Sequence, residues 1–372
     1  MSKEYTALGL MSGTSGDGVD ASVIVSNGEN SYNVIKDKYF EYDNSIYEKF
    51  HKLKETINNL KDLEKYSEEI KNLERQITIF QAKIIQNFDT MKIDLVGCHG
   101  QTIFHSGQKK FSRQLTDGKL LSQLTKKNIV YDFRQNDLQN GGEGAPLSPI
   151  FHQLLATKFN LDLPVCFLNI GGISNITVVN EFTGSLNFLS KDIGPGNCLI
   201  DLWIRKNSKK KFDQDGNLAR LGKSNEVILE QAEELFANRI ERNTSSFDVN
   251  DFDVSFARGL SLEDGAATLT DFTSKIIGAE LTSVSVNLKI NQSKIILCGG
   301  GRKNNLLIEK IRKNTLESLV FKNVDDFGVN GDFIESQAFA FLAIRSLKKL
   351  PISFPKTTGC NKPISGGKII NY

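Results

Sequence analysis

The chain has only five cysteines in 372 residues, at positions 98, 166, 198, 298 and 360, an odd number with no CxxC spacing. That leaves neither a disulfide framework nor a zinc site to read. No apolar run is long enough to span a bilayer, and the opening MSKEYTALGL has no signal-peptide h-region. A one-signed charge is missing too. The 46 basic and 44 acidic residues are interspersed and leave a net charge of +2, so nucleic acid and anionic membrane are not indicated as partners. The common nucleotide fingerprints are also absent. Gly13, Gly16 and Gly18 carry the dinucleotide spacing in reverse, and Gly222-Lys223-Ser224 follows Gly216 one residue too late for a P-loop. No HRD or DFG set occurs. These absences leave a cytoplasmic enzyme of another kind as the simplest expectation.

What the chain does have is glycine-rich turns between apolar strands. In GLMSGTSGDGVDASVI, Tyr5–Leu10 enters and Val19–Val25 leaves a turn of Gly13, Thr14, Ser15, Gly16, Asp17 and Gly18, which predicts a β-hairpin. Glycines let successive N–H groups converge into an anion nest. Thr14 and Ser15 add hydroxyls, and Asp17 and Asp20 add carboxylates suited to a hydrated magnesium ion. An ordinary hairpin loop explains the same residues. PVCFLNIGGISNITVV, residues 164–179, repeats the strand–glycine turn–strand pattern around Gly171 and Gly172, which points to a duplicated unit rather than a short repeat. A third glycine turn, Gly299-Gly300-Gly301, joins an apolar strand (293–297) to a periodic helix and suits close approach of a flat ligand or phosphate.

Length and an ordinary composition (39% hydrophobic, 24% charged) predict two domains. Between 45 and 88 the texture becomes charged helix, with Ile70, Leu73, Ile77, Phe80 and Ile84 forming one apolar stripe. Three heptads are short for a coiled coil, so packing on the protein's own sheet is expected. Strands are expected at 32–35, 39–42, 93–98, 128–133 and 186–189. The glycines and prolines of Gly141–Pro149 suggest an inter-domain hinge.

Asp192, at a strand end in KDIGPGN, has the placement of a carboxylate that accepts a proton in phosphoryl transfer. Fixing the Gly-Pro-Gly turn is the rival explanation. His99 and His105 flank Gly100-Gln101-Thr102 without a nucleophile partner and suit a pocket wall or a structural role. Asp332-x-x-Glu335 reads as a capping box, and Asp213-x-Asp215-Gly216 as a turn.

The ordered set GLMSGTSGDGVDASV, GCHGQTIFH, DFRQNDLQNGGEGAPLSPIFH, LNIGGISNIT, DIGPGN, CGGGRKNNLL and GDFIESQAFAFLA closely resembles the anhydro-N-acetylmuramic acid kinases, of the sugar kinase, actin and heat-shock chaperone superfamily. Only the helical stretch near 45–91 carries no family signal. The resemblance implies an α/β fold of two duplicated RNase H-like (actin/hexokinase-type) domains with an inter-domain cleft, closing over ATP and Mg2+. The expected division is 1–144, with a helical insert at 45–90, and 145–372, whose last residues return to the first domain.

It further implies a kinase that opens 1,6-anhydro-N-acetylmuramic acid with water and phosphorylates O6. On this resemblance Asp192 is the catalytic base. Gly13, Thr14, Ser15, Gly16, Asp17, Gly18, Val19, Asp20, Gly171, Gly172, Gly299, Gly300 and Gly301 bind ATP. His99, Gln101, Arg134, Asn197 and Glu335 bind the sugar, Asp17 and Asp20 the metal, and the protein is a homodimer. Three positions depart from the family pattern: Gly16 replaces an apolar residue and loosens the turn, Ile193 replaces a threonine, and Glu143 a glutamine. A kinase of another anhydro-sugar such as levoglucosan, and a non-enzymatic actin-like or chaperone-like ATP-binding module, are the alternatives.

Overall fold

A computed structural model describes residues 3–180, 188–240, 247, 249–287 and 294–372. The chain opens with three strands, β1 (Tyr5–Ser12), β2 (Gly18–Ser26) and β3 (Tyr32–Glu41). Three helices follow: α1 (Asn44–Thr56), α2 (Leu60–Lys65) and α3 (Ser67–Gln86). Next come β4 (Leu95–Ser106), β5 (Phe111–Leu115), α4 (Gly118–Thr125), β6 (Ile129–Tyr131), α5 (Gln135–Gln139) and α6 (Pro149–Lys158). A second series begins with β7 (Val165–Ile170), β8 (Ile173–Val179), β9 (Phe188–Pro195) and α7 (Cys198–Asn207). It continues through α8 (Asn217–Leu221), α9 (Glu226–Ile240), α10 (Leu262–Asn287), β10 (Lys294–Cys298), α11 (Asn305–Lys313) and β11 (Val320–Asn323). The chain closes with α12 (Ile334–Leu347), α13 (Pro355–Thr358) and β12 (Lys368–Ile370).

These elements form two compact units, Met1–Asn160 with Asp332–Tyr372, and Leu161–Gly331. The first contains a sheet in the order β12-β6-β4-β1-β2-β3, with β5 on β4; the second a sheet in the order β11-β10-β7-β8-β9. Both follow one path. An antiparallel trio (β1-β2-β3; β7-β8-β9) is extended from its first strand by two parallel neighbours (β4 and β6; β10 and β11). The α/β fold is therefore a duplicated RNase H-like unit, as the two glycine hairpins implied.

In the first unit α1 and α3 cover the sheet. Phe50, Leu53, Ile70, Leu73, Ile77 and Ile84 are buried among Leu8, Leu10, Val19, Val23 and Val96, with Phe80 packed at the edge. Burial of each such side chain is worth about 1.5–3 kcal/mol. The apolar stripe thus meets its own sheet. α12 packs against the same sheet through close backbone approach: a side chain on Gly9 would collide with the Ser336 carbonyl, and one on Gly97 with that of Phe339. In the second unit Leu168, Ile170, Ile176, Val178 and Ile193 pack on Ile277, Leu281, Leu307 and Ile311 from α10 and α11.

Several expectations change in detail. The two strands foreseen at 32–35 and 39–42 are one strand, β3, with a register irregularity opposite Val23 and Ile24. The strand expected at 93–98 runs on through HGQTIFH as β4, because β5, unforeseen, pairs with it. Leu186, Asn187 and Ser293, placed in strands from sequence, lie outside the described residues.

The Gly141–Pro149 segment is fastened inside the first unit. Gly144 N donates to Asp137 Oδ2 (2.7 Å) and Glu143 N to the Thr358 carbonyl (2.8 Å), while Lys110 Nζ donates to the Gly141 and Gly142 carbonyls (2.8 and 2.9 Å). The chain crosses between units at 160–161 and 331–332 instead. No described helix is long and apolar enough to cross a membrane.

Candidate active site

In the first unit, pairing of Met11 with Asp20 sets the hairpin register and leaves Gly13 to Asp17 as the turn. Gly16 N donates to the Gly13 carbonyl (3.2 Å) and Ser15 Oγ to Asp17 Oδ1 (2.6 Å). From β4, Gln101 Nε2 donates to the Gly13 carbonyl (2.8 Å), so a predicted sugar-binding residue holds the predicted phosphate turn. Gln101 is fully buried, and its Oε1 has no hydrogen-bond partner among the described residues, an acceptor left for a ligand donor. Gly16 is not a loosened position. It has a left-handed φ of +63°, and the ring of Phe50 fills the space a side chain would need.

Asp20 lies in an acidic cluster. Burial, then the charges of Glu335, Asp17, Asp332 and Asp37, push its carboxyl up to about 8. Glu335 and Asp332 stand at the start of α12. They do not form the capping box expected of them, since the N-cap is Phe333 and no side chain caps it. Among the described residues no group of three or more His, Cys, Asp or Glu gathers as a metal site. Asp17 and Asp20 nevertheless suit magnesium, which keeps waters and substrate phosphates in its shell and takes one or two carboxylates. A cation beside Asp20 would relieve the charge that now favours its protonated form.

His99, also on β4, is buried and accepts from Arg134 through Nε2 (2.8 Å from Nη2, 3.2 Å from Nε). Burial, then the Arg134 charge, holds the imidazole well below its usual range, so it is neutral. Arg134 also donates to the Gly144 carbonyl (2.8 Å). Two residues predicted separately form one pair, although His105 turns elsewhere, to Ser112 Oγ (2.9 Å).

In the second unit three predicted elements converge. Asn197 N and Gly196 N donate to the carbonyls of Gly171 (2.8 Å) and Gly172 (2.9 Å), joining the start of α7 to the β7–β8 turn. A Cβ on Gly301 would lie 3.0 Å from Asn197 Nδ2, and one on Gly299 would lie 2.5 Å from Asn169 Oδ1. Around Gly300 there is open space, which leaves its backbone accessible. Arg302, beside this turn, is spent on structure, pairing with Asp325 (2.6 and 2.9 Å) and donating to the Gly299 carbonyl (2.9 Å).

Asp192 lies on β9, directly opposite Asn175 on β8, and Asn175 lies opposite Asn169 on β7. Asp192 stands inside β9 rather than at a strand end, and its Oδ2 accepts from Phe247 N (2.9 Å), which fixes the carboxylate. Asn169 and Asn175 were not singled out from sequence. Their two-residue alternation with the core residues Leu168, Ile170 and Ile176 was the available signal. The geometry offers a held carboxylate beside glycine turns with exposed backbone, the parts needed for proton abstraction and anion binding.

A family model described as anhydro-N-acetylmuramic acid kinase matches residues 5–372. A Pelagibacter ubique (strain HTCC1062) protein named anhydro-N-acetylmuramic acid kinase is 53% identical over 378 residues, covering 100% of each chain. Proteins of the same name from Agrobacterium fabrum (34% over 386 residues, 100% of each chain) and Brucella canis (36% over 372 residues, 97% of each) are also similar.

Proposed function

The chain belongs to the anhydro-N-acetylmuramic acid kinase family, and we propose that Asp192 is the base of its reaction. The enzyme uses ATP to convert 1,6-anhydro-N-acetylmuramic acid and water to N-acetylmuramic acid 6-phosphate, a step of peptidoglycan recycling. Neither sequence-derived alternative gains support from these relatives.

In the proposed mechanism Asp192 takes one proton from a water whose oxygen bonds to the anomeric carbon. The C1–O6 bond breaks, its electron pair stays on O6, and O6 attacks the γ-phosphorus as ADP leaves. One carboxylate then serves where a glycosidase needs two, because the phosphoryl group captures the leaving oxygen. The hold of Phe247 N–H on Asp192 Oδ2 is the observation that supports this most, since it fixes the carboxylate's orientation. We assign residues 13–20, Gly171, Gly172 and Gly299–Gly301 to ATP, and His99, Gln101, Arg134, Asn197 and Glu335 to the sugar. Gln101 Oε1, buried and without a hydrogen-bond partner among the described residues, is an acceptor for a sugar hydroxyl or amide N–H there.

Asp17 and Asp20 would hold Mg2+, which supplies charge neutralisation at the phosphates. A homodimer in the cytoplasm completes the proposal. ADP release measured over a panel of anhydro-sugars and their open-ring counterparts tests it: the reading requires dependence on the anhydro form.

A further inference from the structure

The attacking water has two protons, and the base removes one. The second O–H needs an acceptor, or the water's lone pair is not held towards the anomeric carbon. We propose that Asn175 Oδ1 is that acceptor, so that Asn175 and Asp192 together orient the water; this rests on the assignment of Asp192 as base.

Three observations carry it. Asn175 and Asp192 are direct cross-strand partners, so their side chains leave the same face of the sheet. Such partners have Cβ atoms about 4.5–5.5 Å apart, a span that one water bridges. That face is opposite to the one on which Ile176 and Ile193 enter the apolar core. Asn175 Oδ1 is buried and has no hydrogen-bond partner among the described residues, a state that buried amide oxygens avoid unless a ligand or water completes them.

The neighbouring positions are already committed. One rung along, Thr177 Oγ1 and Ser190 Oγ bond each other (3.1 Å), and Ser190 Oγ donates to the Ile176 carbonyl (2.7 Å). Across β8, Asn169 Oδ1 lies against Gly299. Of these residues Asn175 alone has its acceptor both unclaimed and beside Asp192.

Steady-state kinetics on Asn175→Ala, Asn175→Asp and Asp192→Asn test the assignment, with ATP affinity and thermal midpoint measured on each. Asn175→Ala should lose about 10²-fold in kcat, the usual worth of one oriented polar group, while both KM values stay within about three-fold. Asn175→Asp keeps an acceptor oxygen, and on the alkaline plateau it should recover at least about ten-fold of that loss. A merely structural asparagine would show neither the split between kcat and KM nor the rescue. The inference is overturned if Asn175→Ala turns over within about three-fold of the parent, or if Asn175→Asp is as slow as Asn175→Ala. Should Asn175→Ala not fold, Asn175→Asp decides alone, by near-parent kcat or by its loss. Loss in Asp192→Asn with none in Asn175→Ala sinks this inference only; near-parent turnover in Asp192→Asn sinks the base assignment and this inference with it.

Discussion

Phe50, from a helix in the stretch without family signal, places its ring where a side chain on Gly16 would stand in the β1–β2 turn. The insert and the turn are therefore matched, and the glycine is a fit rather than a loosening. Gly16→Met should cost about 1–3 kcal/mol through overpacking at a left-handed φ. Phe50→Ala alone should cost about 3–5 kcal/mol through its cavity. The double variant should be less destabilised than the sum by more than the usual additivity error of about 0.3–0.5 kcal/mol, as read by urea unfolding. Additive costs would contradict the contact.

Asp20 gives the free protein a particular pH dependence. Its folded-state affinity for a proton is raised, to about 8 against 3.8, so the native state binds more protons between those values and stability falls as pH rises through them. Asp20→Asn removes that loss. The variant's thermal midpoint should exceed the parent's by an amount that grows from pH 4 to pH 8. A constant or shrinking difference would count against a buried, charge-crowded carboxyl.

The buried histidines act in the opposite sense. His99 is held well below its ordinary value of 6.5, and burial lowers His152 to about 3. Each contributes stability that is full above the unfolded value and is lost as pH falls below 6.5. His152→Phe should therefore flatten the acid side of the stability curve between pH 6.5 and 4, followed by thermal scans. An unchanged slope would show that His152 charges freely in the native state.

Much of this was legible in the sequence. The two glycine hairpins and the α3 stripe follow from local periodicity and turn chemistry, which are short-range signals. Asp192, by contrast, expected at a strand end after 186–189, lies inside β9 because pairing with β8 carries the strand on to Pro195. What stayed hidden depends on long-range placement. Gly141–Pro149 has the composition of a hinge, yet Asp137, Lys110 and Thr358 tie it down from elsewhere in its own unit. Asp332 and Glu335 have capping-box spacing, but α12 starts at Ile334 and moves them off the capping positions. β5 escaped notice because its stability comes from pairing with β4.

Asp192→Asn should retain ATP binding and lose about 10²–10⁴-fold or more in turnover, the worth of a positioned base. Parallel titration of nucleotide and measurement of kcat separate the two. A variant that binds ATP weakly yet turns over normally would reverse the assignment.

Above all, this one enzyme adds both a water, in opening the anhydro ring, and a phosphoryl group, on O6, to the sugar. Mass analysis of the sugar product formed by the purified protein with ATP, magnesium and 1,6-anhydro-N-acetylmuramic acid tests it most directly. The product should be heavier than the substrate by one water and one phosphoryl group, with one ADP formed for each. A product that gains the phosphoryl group without the water, or ADP formed while the sugar is unchanged, would contradict it.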